Sequence, residues 1–278
     1  MSWHLTGSVE EFSDAAGDFL RSRPVEHTVP LTLIDTLRRH GPYVYGPEDP
    51  IFGWYRTTDG SVAGACLQTP PFPLLITAAP DLGALAGLLT GRPLPGVNAL
   101  ARDVDEFAAR WREHTGATTV PGRRSRLFRL DVLIPPVPFA PGMARVAGQE
   151  DRDLLMTWMT GFYRDAGEGV REVAEFVDDK LAHGGLTLWE LDGTPVSMAG
   201  ASRPEAGMVR VMAVYTPPEH RGRGYAGAVT TVVTRAALDA GAADVVLFTD
   251  LANPTSNALY QRLGYRPVED RAVVEFRS

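Results

Sequence analysis

The chain carries, from Val209 to Ala228, the run Val209-Arg-Val-Met-Ala-Val-Tyr-Thr-Pro-Pro-Glu-His-Arg-Gly-Arg-Gly-Tyr-Ala-Gly-Ala228. Its first part, Val209 to Tyr215, is apolar and β-branched enough for a buried strand, and Pro217-Pro218 ends it. Tyr225 to Leu238, rich in Ala and Val, reads as a helix. Between them lies a turn with Gly222, Gly224 and Gly227. A glycine-bearing turn that leads into a helix aims unpaired backbone N–H groups, and the positive end of the helix dipole, at an anion above it. A phosphate is the expected guest.

Three readings of that turn compete. Gly222-Arg-Gly-Tyr-Ala-Gly227 spells G-x-G-x-x-G, with Asp250 at the end of the next apolar run as a ribose acid. A dinucleotide fold, however, places its glycines directly at the end of its first strand. Here Thr216 to Arg221 intervene, and little chain remains after Asp250 to complete a sheet. A nucleoside-triphosphate loop is excluded because no Lys-Ser or Lys-Thr follows the glycines. An ordinary turn into a helix, with no ligand, stays open on the glycines alone.

Two motifs carry a family resemblance. Arg221-Gly-Arg-Gly-Tyr-Ala226 resembles the Gln/Arg-x-x-Gly-x-Gly/Ala signature of the Gcn5-related N-acetyltransferases (GNAT), and the strand and helix around it stand where that family has them. Downstream, Asn253-Pro-Thr-Ser-Asn-Ala-Leu-Tyr-Gln-Arg-Leu-Gly-Tyr265 is similar to the family's Asn-x-x-Ser-x-x-x-Tyr-x-x-x-Gly-Phe/Tyr segment. The resemblance extends over Met143 to Ser278. It implies an α/β (α+β) fold with a mixed, mostly antiparallel central sheet flanked by helices. It also implies transfer of an acetyl group from acetyl-CoA, as co-substrate, to a primary amine by direct attack.

Such transfer needs the diphosphate held, the thioester carbonyl polarised, the amine deprotonated and the leaving thiolate protonated. The N–H groups of Gly222, Arg223, Gly224, Tyr225 and Ala226, in the turn that opens at Arg221, can wrap a diphosphate closely because two of these residues lack a Cβ. Arg223 either adds charge to a phosphate or is simply solvated. The resemblance implies that the strand at Met212, Ala213 and Val214 splays from its neighbour and offers backbone groups to the pantetheine arm and the thioester. The side chains of Met212 and Val214 serve equally well as core. It further implies that Asn253 bonds the pantetheine amides, with Ser256 near the helix start, and that the Tyr260 phenol protonates the departing sulfur. The plainer alternative is that Asn253-Pro254 forms a turn and N-cap while Tyr260 packs its ring.

The family has no fixed motif for the base. On chain position alone the candidates are Glu168, Glu172, Glu175, Asp178 and Asp250; His220 should lie on the phosphate side, and His183 ends a helix, where the dipole suits a cation. Asp165, Glu168, Glu172, Asp178 and Asp179 form an acidic set that would attract a cationic amine, and a small-molecule acceptor is expected ahead of a protein lysine. No HExxH or comparable spacing and no Gly-x-Ser-x-Gly occurs, so neither a metal nor an acyl-serine is expected.

The 278 residues, 44% hydrophobic and 22% charged, suit one large or two ordinary globular domains. A formal charge of −7 gives no general attraction to nucleic acid. Cys66, the only cysteine, lies in an apolar run and reads as a buried small hydrophobe. No signal sequence or stretch of 18 apolar residues is present, so a cytoplasmic protein with no membrane partner is expected.

Helical spacing over residues 8–22 and 30–39, strands around Thr58-Asp-Gly60, a strand from Leu74, helices from Asp81 and Asp103, and a strand over Ser125–Leu133 make up the first half. Ile134-Pro-Pro-Val-Pro-Phe-Ala-Pro-Gly142 follows, with four prolines in seven residues. The expected division is therefore residues 1–134, a linker at 135–142, and an acetyltransferase domain at 143–278. The second half repeats the order of elements of the first, which points to a tandem of one fold, with an unrelated accessory α+β domain at 1–134 as the alternative. Residues 74–83 stand where the glycine turn should be but lack its arginine and clustered glycines, so the first half is expected to be degenerate and to bind no coenzyme A.

Overall fold

A computed structural model describes residues 1–167 and 173–277. In chain order the elements are β1 (Ser2–Thr6), α1 (Val9–Arg21), α2 (Thr28–His40), β2 (Ile51–Arg56), β3 (Val62–Gln68), β4 (Leu74–Ile76), α3 (Leu82–Leu88), β5 (Gly96–Leu100), α4 (Val104–Thr115) and β6 (Thr118–Leu130). There follow β7 (Met143–Val146), α5 (Arg152–Asp165), α6 (Ala174–Ala182), β8 (Leu186–Leu191), β9 (Thr194–Ala201), β10 (Met208–Tyr215), α7 (Tyr225–Asp239), β11 (Asp244–Asp250), α8 (Pro254–Arg262) and β12 (Tyr265–Arg277).

The chain forms two compact units. The first holds Met1–Leu127, Thr249–Ala252 and the chain from Val268 onward; the second holds Phe128–Phe248 and Asn253–Pro267. This division differs from the one expected at the Pro-rich run. Residues 135–142 lie within the second unit because they are packed there: Trp189 Nε1 donates to the Pro141 carbonyl at 2.9 Å, and the Phe139 and Trp189 rings are 5.7 Å apart. The chain after Val268 falls in the first unit because β12 pairs antiparallel with β5, from Arg271–Leu100 to Glu275–Gly96.

In the first unit the strand order is β1-β2-β3-β4-β5-β12, with β6 next to β12. β4 and β5 are parallel, and the other registered neighbours from β1 to β12 are antiparallel. Alternation along β2 sends Phe52 and Trp54 toward α1 and α2, and Ile51 and Tyr55 toward α3 and α4. Helix α1 begins where Ser8 Oγ accepts from the Glu11 amide at 3.3 Å, and its Phe12, Ala16 and Leu20 stripe is fully buried. Cys66 is buried, and burial pushes its thiol pKa up, as suits a small hydrophobe.

The second unit repeats this plan. Its order is β11-β10-β9-β8-β7, with β10 and β11 parallel and the rest antiparallel. Helices α5 and α6 cover one face of its sheet through Leu155, Trp158, Met159 and Val177; α7 and α8 cover the other through Tyr225, Val229, Val233 and Tyr260. The Asp192-Gly193 hairpin has both residues at positive φ, 51° and 78°, as a two-residue turn between twisted strands requires. Among the described residues no helix is long and apolar enough to cross a membrane.

Candidate functional site

β10 is the strand on which the site in the second unit is built. Its parallel register with β11 runs from Met208–Asp244 to Val211–Leu247. Both strands continue, to Tyr215 and Asp250, past the end of that register. On its other side β10 pairs with β9 through Val211–Ala201 and Met212–Gly200, and then resumes at Tyr215–Met198. Three steps on β10 thus face two on β9, a β-bulge of one residue, and Ala213 absorbs it at φ 50°. The bulge reverses the alternation of side chains. Val209 and Val211 face the α7 side, whereas Met212, Ala213 and Tyr215 join the α5 side and Val214 packs back toward α7. Strain at a non-glycine residue in left-handed backbone costs about 1–2 kcal/mol, and such sites concentrate where main-chain groups are needed outside a ladder.

The chain leaves β10 through Pro217 and a single 3-10 turn at Pro218–His220. Gly222 (φ 76°) and Gly224 (φ 83°) then take left-handed conformations, and Arg221 to Gly224 are all exposed. Nothing lies within 4 Å of a Cβ added at Gly222, so this side of the turn is open. The first intrahelical bond of α7 is Ala228 N–H to the Gly224 carbonyl at 3.1 Å, and the amides of Tyr225, Ala226 and Gly227 precede it. Gly227 has a different role from the other two glycines. A Cβ there would meet Leu259 at 3.3 Å and Pro136 at 3.4 Å, so it permits close packing of α7 against α8 and the Pro-rich run.

Arg223 is exposed, but the Arg221 side chain is engaged. Its Nε donates to the Thr216 carbonyl at 2.9 Å, its terminal nitrogen pairs with Asp165 at 2.5 Å, and its guanidinium stands 5.8 Å from the centre of the Tyr215 ring.

On α8, Asn253 is the N-cap: its Oδ1 accepts from the Ser256 amide at 3.0 Å, and Pro254 opens the helix. Tyr260 is only 7% exposed and shares an apolar cluster with Tyr225 and Tyr265, against which Val214 also packs. Its ring meets that of Tyr265 edge-on at 6.1 Å, and the Tyr265 hydroxyl is paired with Thr234 Oγ1 at 2.6 Å. Burial, and secondarily the neighbouring Tyr265, push the Tyr260 phenol well above its ordinary pKa, so it holds its proton throughout the neutral range. The structure therefore gathers Val214, Tyr225 and Tyr260 into one cluster, sets Asn253 and Ser256 at the cap of the helix that carries Tyr260, and puts Met212 with the opposite layer.

The candidate bases fare differently. Asp178 is clamped by Arg152 at 2.6 Å and 2.9 Å; Asp250 accepts from the Ala252 amide at 2.8 Å and pairs with Arg123 at 3.6 Å. Glu175 is exposed on α6, and Glu168 and Glu172 lie outside the described residues. Asp179 is held by Arg203 at 2.6 Å. The acidic bias counted from sequence is thus largely neutralised by arginines at Asp165, Asp178 and Asp179. His183 also departs from expectation: burial, foremost, lowers its pKa, and its Nδ1–H donates to the Asp179 carbonyl at 2.6 Å, so it caps α6 as a neutral ring.

Sequence reasoning missed the bulge at Ala213, the Arg221–Asp165 pair, and two buried cations. Lys180, the only lysine in the sequence, is 7% exposed, lies 3.7 Å from Asp179, and is pushed down to about 8 chiefly by burial. In the first unit, Arg271 is 4% exposed and donates to the Ile76 carbonyl at 2.6 Å and to the Asn98 carbonyl and Oδ1, each at 3.2 Å.

Residues 152–265 match the model of the acetyltransferase (GNAT) family. The chain thus carries a GNAT-family segment over those residues. Solved structures share the fold over the whole chain. A Drosophila protein is 13% identical, with 99% of this chain and 98% of that chain covered at a TM-score of 0.67. A GCN5-related N-acetyltransferase from Sphaerobacter thermophilus is 17% identical over 99% and 95% at 0.60. A tandem GNAT protein from the clavulanic acid biosynthesis pathway is 13% identical over 99% and 98% at 0.58. At these identities the likeness is one of fold, shared with GNAT structures of which one is a tandem protein. No curated protein is similar in sequence to the chain.

Proposed function

We propose that the second unit is an N-acetyltransferase that moves the acetyl group of acetyl-CoA to a primary amine. One observation carries this reading: a strand bulged at Ala213, free of its parallel register past Val211, leads into an open two-glycine turn at the start of α7. Such a turn fits a diphosphate, and the bulged strand fits a pantetheine arm, because each offers main-chain groups without a Cβ or a ladder partner in the way.

In this mechanism the turn from Arg221 to Ala226 holds the diphosphate, and backbone groups of Met212, Ala213 and Val214 hold the pantetheine and orient the thioester. Asn253 and Ser256 fix the start of α8 and thereby the Tyr260 phenol. The amine nitrogen attacks the thioester carbon, the C–S bond breaks with its electron pair on sulfur, and the thiolate takes the Tyr260 proton. The proton shed by the attacking nitrogen passes to water and restores the phenol. The acceptor is proposed to be a small primary amine.

The first unit is proposed to be a degenerate copy that binds no coenzyme A. Its β4 runs into α3 through Thr77–Asp81 with no glycine, and Arg271 ties the end of β4 to β5 where the active copy would leave its strands apart.

Thiol release from acetyl-CoA, followed across a panel of small amines, lysine peptides and peptide N-termini, tests this. Turnover on small amines is expected; turnover on peptides alone would make it a protein acetyltransferase. Tight acetyl-CoA binding with no turnover would make it an acyl-CoA sensor. A saturating ligand at about 100 times its dissociation constant stabilises by about 2.7 kcal/mol, so no melting shift with acetyl-CoA would overturn the proposal.

A further inference from the structure

The first residue of the glycine turn is bonded to groups that a phosphate ligand would have no need of. Three contacts hold the Arg221 guanidinium: the Thr216 carbonyl at 2.9 Å, the Asp165 carboxylate at 2.5 Å and the face of Tyr215 at 5.8 Å. Asp165 ends α5, and α5 packs on the face of the sheet opposite α7. The ion pair therefore reaches from the turn that starts α7, past the end of β10, to the helix of the other layer.

The surroundings lock the residues that receive Arg221 on the β10 side. Tyr215 packs so closely on α5 that a Cβ at Gly161 would stand 2.6 Å from its hydroxyl, and its ring meets Trp158 edge-on at 6.4 Å. Ser197 Oγ donates to the Tyr215 carbonyl at 2.9 Å and accepts from Thr216 Oγ1 at 2.8 Å. Thr216, whose carbonyl receives Arg221, is thus itself tied to β9. A planar guanidinium with donors in a fixed fork suits such a multi-point staple, whereas an ammonium on a flexible stem does not.

We propose that Arg221 is a positioning residue rather than a phosphate ligand, and that Asp165 is its working partner. The pair staples the glycine turn to α5, so that the backbone amides of residues 222–226 converge before a diphosphate arrives. This rests on the reading of the turn as the diphosphate site of acetyl-CoA. Preorganisation of this kind shows in ligand affinity, since a turn left loose must be ordered at the moment of binding.

The sign of one substitution separates the alternatives. If Arg221 were a phosphate ligand held back by Asp165, Asp165→Asn would release it and tighten acetyl-CoA binding. As a staple, Asp165→Asn weakens binding by about fivefold and Arg221→Ala by about tenfold. The double variant is then no weaker than Arg221→Ala alone, because both remove the same staple. Arg221→Lys falls between, and Asp165→Glu recovers most of the loss.

Calorimetric titration of the full chain with acetyl-CoA, and in parallel with pantetheine, which lacks the diphosphate, reads these effects. The expected result is weakening for coenzyme A that is absent for pantetheine, with KM for acetyl-CoA raised more than kcat is lowered. Tighter binding in Asp165→Asn, or a fall in melting temperature with unchanged affinity, overturns the staple and leaves the diphosphate site standing. No binding of acetyl-CoA by the unmodified protein overturns the diphosphate site itself.

Discussion

Tyr260→Phe tests the chemistry most directly. The ring should keep its place among Tyr225, Leu263 and Tyr265, since the substitution removes one oxygen from a side chain that is only 7% exposed. The structure gives that hydroxyl no hydrogen-bond partner among the described residues, so its loss leaves no orphaned group behind. Stability should change by less than about 1 kcal/mol, and in the favourable direction if anything. General-acid catalysis is worth about 10²- to 10⁴-fold, or about 2.7–5.4 kcal/mol of barrier. The expected outcome is a fall in kcat of at least about 100-fold with the dissociation constant of acetyl-CoA unchanged within about twofold. Steady-state thiol release gives the first quantity and calorimetry the second. Because burial holds the phenol pKa up, kcat of the unmodified enzyme should show no loss from this group as pH rises through 9. A kcat within about threefold of the parent would refute the role of Tyr260, and so would a loss matched by equally weakened binding.

Gly224→Ala forces a Cβ into a residue at φ 83°, although the nearest atom, Ala140 Cβ, is an acceptable 3.5 Å away; a loss of about 1–2 kcal/mol is expected in acetyl-CoA affinity or stability, read by titration and thermal melting. Lys180 has its pKa lowered from 10.5 to about 8, so between those values the unfolded chain binds more protons than the folded one and stability rises with pH, by about 3 kcal/mol in all. Lys180→Met should stabilise at pH 7 and flatten that rise in denaturant titrations; a dependence unchanged in the variant would assign the slope elsewhere. Arg271→Met strips donors from the Ile76 and Asn98 carbonyls and a partner from Glu269, and should cost about 3–5 kcal/mol by chemical denaturation.

Composition and punctuation marked the elements that end in a distinctive residue. Gly222 and Gly224 marked the turn, Asn253-Pro254 the start of α8, and Thr58-Asp-Gly60 the turn between β2 and β3, because each of these backbones needs a particular residue. β1 and β5 escaped notice because Ser2–Thr6 is short and half polar, and Gly96–Leu100 holds an asparagine and follows two prolines. The bulge was invisible for another reason: Val209 to Tyr215 reads as an unbroken apolar strand, and one inserted residue appears only when β9 is laid beside it. The two units divide elsewhere than at the prolines, because Phe139 and Pro141 of that run contact Trp189 within the second unit. The Arg221–Asp165 pair was invisible because the sequence records the arginine and not the carboxylate, 56 residues earlier, that faces it.

The seclusion of Lys180 has a practical consequence. The sequence contains no other ε-amine, and this one is turned inward beside Asp179. A catalyst that handles an acylating agent would here present it with no lysine of its own to modify. In an assay for amine acceptors, acetyl label found on lysine would then come from the added substrate while the protein is folded, and label on Lys180 would report that the chain has opened.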